Sequence, residues 1–122
     1  MKMKPLQLEE NLKKYTCVSE CPVRNVIARF SGKWSMLVLC VLAENGNTRF
    51  NAIGKAIPDI SPKVLTETLK NLEADGLVSR KLYAEIPPRV EYSLTDLGHS
   101  LMPVIGQLIS WAMTNFDKIA KR

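Results

Sequence analysis

Histidine occurs once in this 122-residue chain, at His99, and cysteine three times, at Cys17, Cys21 and Cys40. These scarcities remove several kinds of chemistry. Cys17 and Cys21 lack a matching downstream pair, and one histidine cannot complete a zinc site, so no metal is expected. An odd cysteine count without a secretion signal does not make a disulfide scaffold. No glycine-rich cofactor loop, paired carboxylate constellation or suitably placed histidine base is present, so neither an enzyme nor a bound cofactor is expected. The longest apolar run, residues 36–43, is far short of the roughly 18 residues that a membrane span needs. Behind Lys2, Lys4 and Pro5 no apolar stretch or small-residue cleavage site follows, so no signal peptide is read and a cytoplasmic location is expected. The chain has no internal repeat and no low-complexity tract.

What remains is ordinary globular composition, 46% hydrophobic and 24% charged, enough for one domain around one core. The formal net charge of +5 suits a polyanionic partner, although a solvated basic surface accounts for it almost as well.

Residues 60–76 are the most informative. Ser61 is a good N-cap, and Pro62 stands at the first helical position, where its missing N–H costs nothing. Gly76 is a natural C-terminal stop. Leu65, Leu69 and Leu72 follow the helical period on one face, while Lys63, Thr66, Glu67 and Lys70 occupy the other. A second helix, residues 50–57, ends just before it at Pro58. Two helices with a short turn, the second offering a polar face, form a helix-turn-helix that presents a recognition helix to the DNA major groove. A polar face that is merely solvated is the plainer alternative.

The flanking segments bear on that choice. Residues 1–20 read as a polar arm or short helix. Cys21 and Pro22 open a helix that buries Val23, Val26, Ile27 and Phe30 and stops at Gly32. The next, residues 33–44, is apolar nearly all round and should be the central helix of the core. Thr48, Arg49 and Phe50 add a short strand. After Gly76 the period changes to that of strands, at residues 77–83 and 89–94, with Val90, Tyr92 and Leu94 on one face. Pro87 and Pro88 cannot belong to a central ladder and mark a hairpin tip. Thr95 caps a final helix whose first turn holds Asp96. This is the order of a winged helix-turn-helix, mainly α with a small sheet: an arm over 1–20, a DNA-binding core over 21–95 and a dimerisation helix over 96–122. Arg49, Arg80, Lys81, Pro88 and Arg89 flank or form the wing, where cations can meet phosphates or enter the minor groove.

Apolar residues of the last helix fill an arc of roughly 200°, about twice what a small domain can cover alone. Ile105, Ile109, Met113 and Phe116 extend the arc, and the remainder calls for the same helix of a second subunit about a two-fold axis. Pro103 should kink or break this helix. A homodimer would hold two recognition helices roughly 34 Å apart on a palindromic or near-palindromic duplex.

Cys21 stands at or beside a helix N-cap, with Arg24 in the first turn, and both favour a thiolate. An oxidisable sensor is physically reasonable there, with Cys17 as a resolving partner, against the alternative of an inert cap residue. Cys40, inside the apolar helix, reads as a packing residue.

These residues resemble the HxlR-type winged helix regulators of bacteria. The likeness rests on Cys21 with Pro22, on Gly32, Lys33 and Trp34, and on Arg49, Phe50 and Asn51 followed by Ile60 and Ser61. It continues through Leu65, Thr66, Leu69, Leu72, Gly76, Leu77, Val78 and Arg80. Residues 87–95, with Gly98 after them, are its most specific part. The resemblance implies a homodimeric transcription factor, often a repressor and sometimes an activator. It also implies a recognition helix from Ser61, a wing around Arg89, and an oxidant- or electrophile-sensing cysteine at Cys21. Ala52 and Gly54 depart from the family's usual helix formers, and Cys17 is no general family feature. Three other readings stand beside this one: a small-molecule effector at the dimer interface, a winged helix used for protein contacts, and a thiol oxidoreductase.

Overall fold

The computed structural model describes residues 23–120. A π-helical turn, Val23–Ile27, runs into a single helical turn, α1 (Ala28–Phe30). There follow α2 (Lys33–Asn45), β1 (Thr48–Arg49), α3 (Phe50–Ala56), α4 (Pro62–Ala74), β2 (Val78–Tyr83), β3 (Arg89–Leu94) and α5 (Asp96–Ala120). The strands form one antiparallel sheet in the order β1-β3-β2. This is a winged helix-turn-helix, as the order of elements predicts, with β2 and β3 as the wing.

The core lies among α2, α3, α4, the sheet and the first half of α5. Val38, Leu39 and Leu42 of α2 meet Ile53, Leu65, Leu69 and Leu72, all essentially without solvent contact. Each such side chain contributes on the order of 1.5–3 kcal/mol of burial free energy. α2 is the central helix, but it is not covered all round: Leu37 is exposed, and Trp34, Met36, Cys40 and Val41 are only partly buried. The α1 region departs further from expectation. Val26 and Ile27 are exposed rather than buried, because Phe30 alone of this segment packs against the core.

Local chemistry sets the ends of α4 as read. The Ser61 Oγ accepts from the Val64 N–H at 3.1 Å, which satisfies one orphan donor of the first turn. At the other end Gly76 has φ +78°, and the N–H groups of Gly76 and Leu77 donate to the carbonyls of Glu73 and Leu72, each at 3.0 Å. This paired closure is the Schellman motif, and it needs a residue that tolerates positive φ.

The helix end is fastened to α5. The Thr95 N–H donates to the Leu77 carbonyl at 3.1 Å, and its hydroxyl donates to the Gly76 carbonyl at 2.6 Å. The same hydroxyl oxygen accepts from the Gly98 N–H at 3.0 Å, which makes Thr95 the N-cap of α5. A Cβ at residue 98 would collide with the Leu77 carbonyl, so this close approach requires glycine. α5 continues unbroken through Pro103, so of the expected kink or break the break does not occur. One missing hydrogen bond is a local loss, and Leu101, Met102 and Ile105 around it pack on the core and hold the helix in place.

Candidate nucleic-acid interface

α4 sorts its side chains as the helical period requires. Leu65, Thr68, Leu69 and Leu72 are buried, and Ser61, Lys63, Thr66, Glu67 and Lys70 are all exposed. The hydroxyls are partly committed. Ser61 uses its oxygen for the cap, and the Thr66 Oγ1 donates to the Pro62 carbonyl at 2.8 Å. Thr66 therefore offers outward a methyl group and an oxygen acceptor, whereas Lys63 and Lys70 offer charge that no neighbouring carboxylate neutralises in an ion pair among the described residues.

The wing register decides which cations stand together. Val78 pairs with Leu94 and both are buried, so alternation puts Arg80 and Leu82 on the face that continues the core side. Lys81 pairs with Glu91, Tyr83 with Arg89, and Arg49 of β1 with Glu91 from the other side. Arg49, Lys81 and Arg89 thus share one face, and Arg80 lies on the opposite one. Adjacent cations in sequence are not one cluster in space.

Arg89 differs most from its sequence reading as a free cation at the tip. Its Nη2 is 3.2 Å from Glu85 Oε1 and its Nε 3.2 Å from Glu91 Oε2. The guanidinium also stacks 4.0 Å above the centroid of Tyr83, with Lys81 Nζ 5.0 Å from the same ring. Two carboxylates and a ring face surround the guanidinium within the wing, and its buried Nε has no hydrogen-bond partner among the described residues. Arg89 braces the hairpin, and the exposed cations nearby are Arg49, Arg80 and Lys81. The signals for this were Glu85 four residues before Arg89 and Tyr83 opposite it across the turn.

Beyond the strands the tip, residues 84–88, is wholly exposed. Pro88 is there, as expected, but the most exposed large apolar residue is Ile86, which sequence reading passed over. With Arg49, Phe50 and Asn51, the tip borders a cleft of 420 Å³ between wing and α3.

Ile105 leaves the expected dimer face, because its side chain is only 2% exposed and fills the chain's own core. Ile109, Met113 and Phe116 are exposed, together with Val104, Leu108, Trp111 and Ile119. Cys17 and Cys21 lie outside the described residues. Cys40 is partly buried, and burial pushes its thiol pKa up. No helix among the described residues is long and apolar enough to cross a membrane.

Comparison with known proteins agrees with this geometry. The family model described as HxlR-like helix-turn-helix matches residues 29–120. The HTH-type transcriptional regulator YkvN of Bacillus subtilis is 47% identical over 100 residues, 82% of this chain and 80% of that protein. The redox regulator HypR in its reduced form superposes with a TM-score of 0.76 at 37% identity, over 83% of this chain and 99% of that one. Diamide-treated YodB from Bacillus subtilis superposes with a TM-score of 0.64 at 30% identity, over 93% and 96% of the two chains. With its helix-turn-helix, wing and matched span, the chain belongs to the HxlR-like helix-turn-helix family.

Proposed function

We propose that this chain is a homodimeric, sequence-specific DNA-binding transcriptional regulator, acting as a repressor, whose operator affinity responds to oxidants through Cys21. The observation that carries the DNA-binding part is the bare polar face of α4, with Lys63 and Lys70, standing beside an exposed wing flanked by Arg49, Arg80 and Lys81. Lysines at a helix surface can donate to guanine edges, the Glu67 carboxylate can accept from cytosine, and the Thr66 methyl can meet that of thymine. The flanking arginines and lysine suit phosphates, which fix the register without reading sequence.

The case for the dimer is the outer face of α5. Val104, Leu108, Trp111, Met113 and Phe116 are each more than half exposed in the single chain. Together they span an arc of roughly 200° around the helix, more apolar surface than the single chain covers, and exposed apolar surface of that extent marks a protein interface. Two chains joined along it place a palindromic or near-palindromic duplex across both α4 helices.

The oxidant response is supported by the relatives HypR and YodB, the first named a redox regulator, the second solved after diamide treatment. A thiolate at Cys21 would attack a peroxide oxygen, giving a sulfenic acid and releasing water or an alcohol; a second thiol would close a disulfide and release water. Arg29, eight residues after Cys21, bridges to Asp75 at the α4 C-cap. A second reading, a small-molecule effector, draws on an apolar cleft of 550 Å³ between α1, the end of α4 and α5.

One experiment tests these together: a footprint on a duplex that the wild-type protein selects from a random pool, with and without hydrogen peroxide. Symmetric protection that falls steeply with salt is expected for wild type. Lys63→Ala and Lys70→Ala should each lower base discrimination by about 1–3 kcal/mol. Cys21→Ser should bind but no longer release DNA on oxidation. Release that persists unchanged in Cys21→Ser overturns the cysteine mechanism, and absence of duplex binding at low salt overturns the function.

A further inference from the structure

We infer that the wing engages DNA through an apolar tip, with Ile86 as the residue that enters the minor groove; the inference rests on the DNA-binding reading above. The observations are three. Ile86 is fully solvent-exposed at the apex of the hairpin, 102% of its reference area. Its neighbours Ala84, Pro87 and Pro88 are exposed as well, so the whole tip is small or apolar apart from Glu85. Arg89, the cation at the base of the tip, is paired with Glu85 and Glu91, and its Cζ stands 4.0 Å from the centroid of the Tyr83 ring.

The arrangement has a physical logic. The isoleucine stands at the most exposed point of the wing, where water contact is unfavourable and a polar turn residue would cost nothing. Two consecutive prolines limit the backbone freedom that docking would otherwise remove. Glu85 would be repelled by phosphates, and Arg89, which it shares with Glu91, offsets part of that charge. What remains at the apex is a stiff aliphatic point between flanking cations. Aliphatic and proline side chains are the wedges that minor-groove proteins press against the sugar walls or between base steps. Arg49 and Lys81, on one face of the same sheet, can hold the phosphates on either side.

Such a contact is hydrophobic, so it separates from the electrostatic ones by its salt dependence. On the duplex selected by wild-type protein, Ile86→Ala should weaken binding by about tenfold and leave the slope of log affinity against log salt unchanged. Hydroxyl-radical cleavage, which reports minor-groove sugars, should lose protection at one short tract flanking each half-site while major-groove protection stays. Ile86→Lys should recover affinity only at low salt and steepen the slope by about one. The tip lies outside the core, and an unchanged thermal midpoint shows that each variant folds. Wild-type affinity and an unaltered radical footprint in Ile86→Ala overturn the inference while leaving DNA binding in place. A wild-type protein that binds no duplex removes both.

Discussion

Arg29 Nη1 stands 2.6 Å from Asp75 Oδ1, joining α1 to the residue that closes α4. The Asp75 side chain is 14% exposed and the Arg29 side chain 59%, so the bridge is half in solvent and worth little by itself. The Arg29 Nε also donates to the Asn25 carbonyl, which fixes the guanidinium within its own turn. A double-mutant cycle with Arg29→Ala and Asp75→Ala, read by urea unfolding, should give a coupling of about 0.5–1 kcal/mol. Repeating the cycle on duplex affinity asks whether the same contact passes a change near Cys21 to the recognition helix. Additive effects in both measurements would show that the two elements move independently.

The paired wing arginine tempers an expectation drawn from sequence. Arg89→Ala should lower the salt slope of DNA binding less than loss of a phosphate-contacting cation does, because its guanidinium faces Glu85 and Glu91. It should also loosen the hairpin, read as faster amide exchange across β2 and β3. Lys81→Ala and Arg80→Ala should each lower the slope by about one if they meet phosphates. Lysine at position 89 should not restore wild-type exchange, since an ammonium cannot reproduce the planar fork and the stack on Tyr83. A slope that falls in Arg89→Ala as far as in Lys81→Ala would refute this division.

What could be read from the chain, and what could not, follows the range of the forces involved. The ends of α4 were legible because Ser61, Pro62 and Gly76 act within a few residues of themselves. The same holds for Thr95 at α5 and for Pro87 and Pro88 at the hairpin tip. The partners of Arg89 depend on cross-strand register, which alternation alone leaves open. Ile105 and Ile109 lie on the same broad apolar arc of α5, and a helical wheel cannot tell which of them the domain itself covers. Val26 and Ile27 show the same limit from the other side: apolar spacing predicts a buried face, but about half of each residue stays in solvent, Val26 on the rim of an open cleft.

That distinction on α5 can be measured. Ile105→Ala should destabilise the single domain by about 2–5 kcal/mol through the cavity it leaves. Trp111→Ala and Met113→Ala, at 57% and 75% exposed positions, should leave the folded monomer intact and shift a dimer toward monomers. Sedimentation equilibrium together with urea unfolding at high and low protein concentration separates the two classes. An unchanged association constant in Trp111→Ala would remove this face from the proposed interface.

Cys40 supplies an internal control for any redox response. It sits partly buried in α2, and burial raises its pKa from the ordinary 9.0 by disfavouring the thiolate. The thiolate is the reactive form, so Cys40 should be alkylated by iodoacetamide at pH 8 far more slowly in the folded protein than in urea. A Cys17→Ser/Cys21→Ser variant isolates this reaction for mass spectrometry. The sign of the linkage follows from the direction of the shift. The folded state holds the Cys40 proton more tightly than the unfolded state, so the contribution to stability is complete below pH 9.0 and is lost as pH rises through the higher folded value. Wild type should therefore lose stability relative to Cys40→Ala between about pH 8 and pH 10, with no difference in slope below pH 8. Fast labelling of Cys40 in the native protein, or a flat difference across that window, would place this thiol in contact with solvent and make it a competing oxidant target.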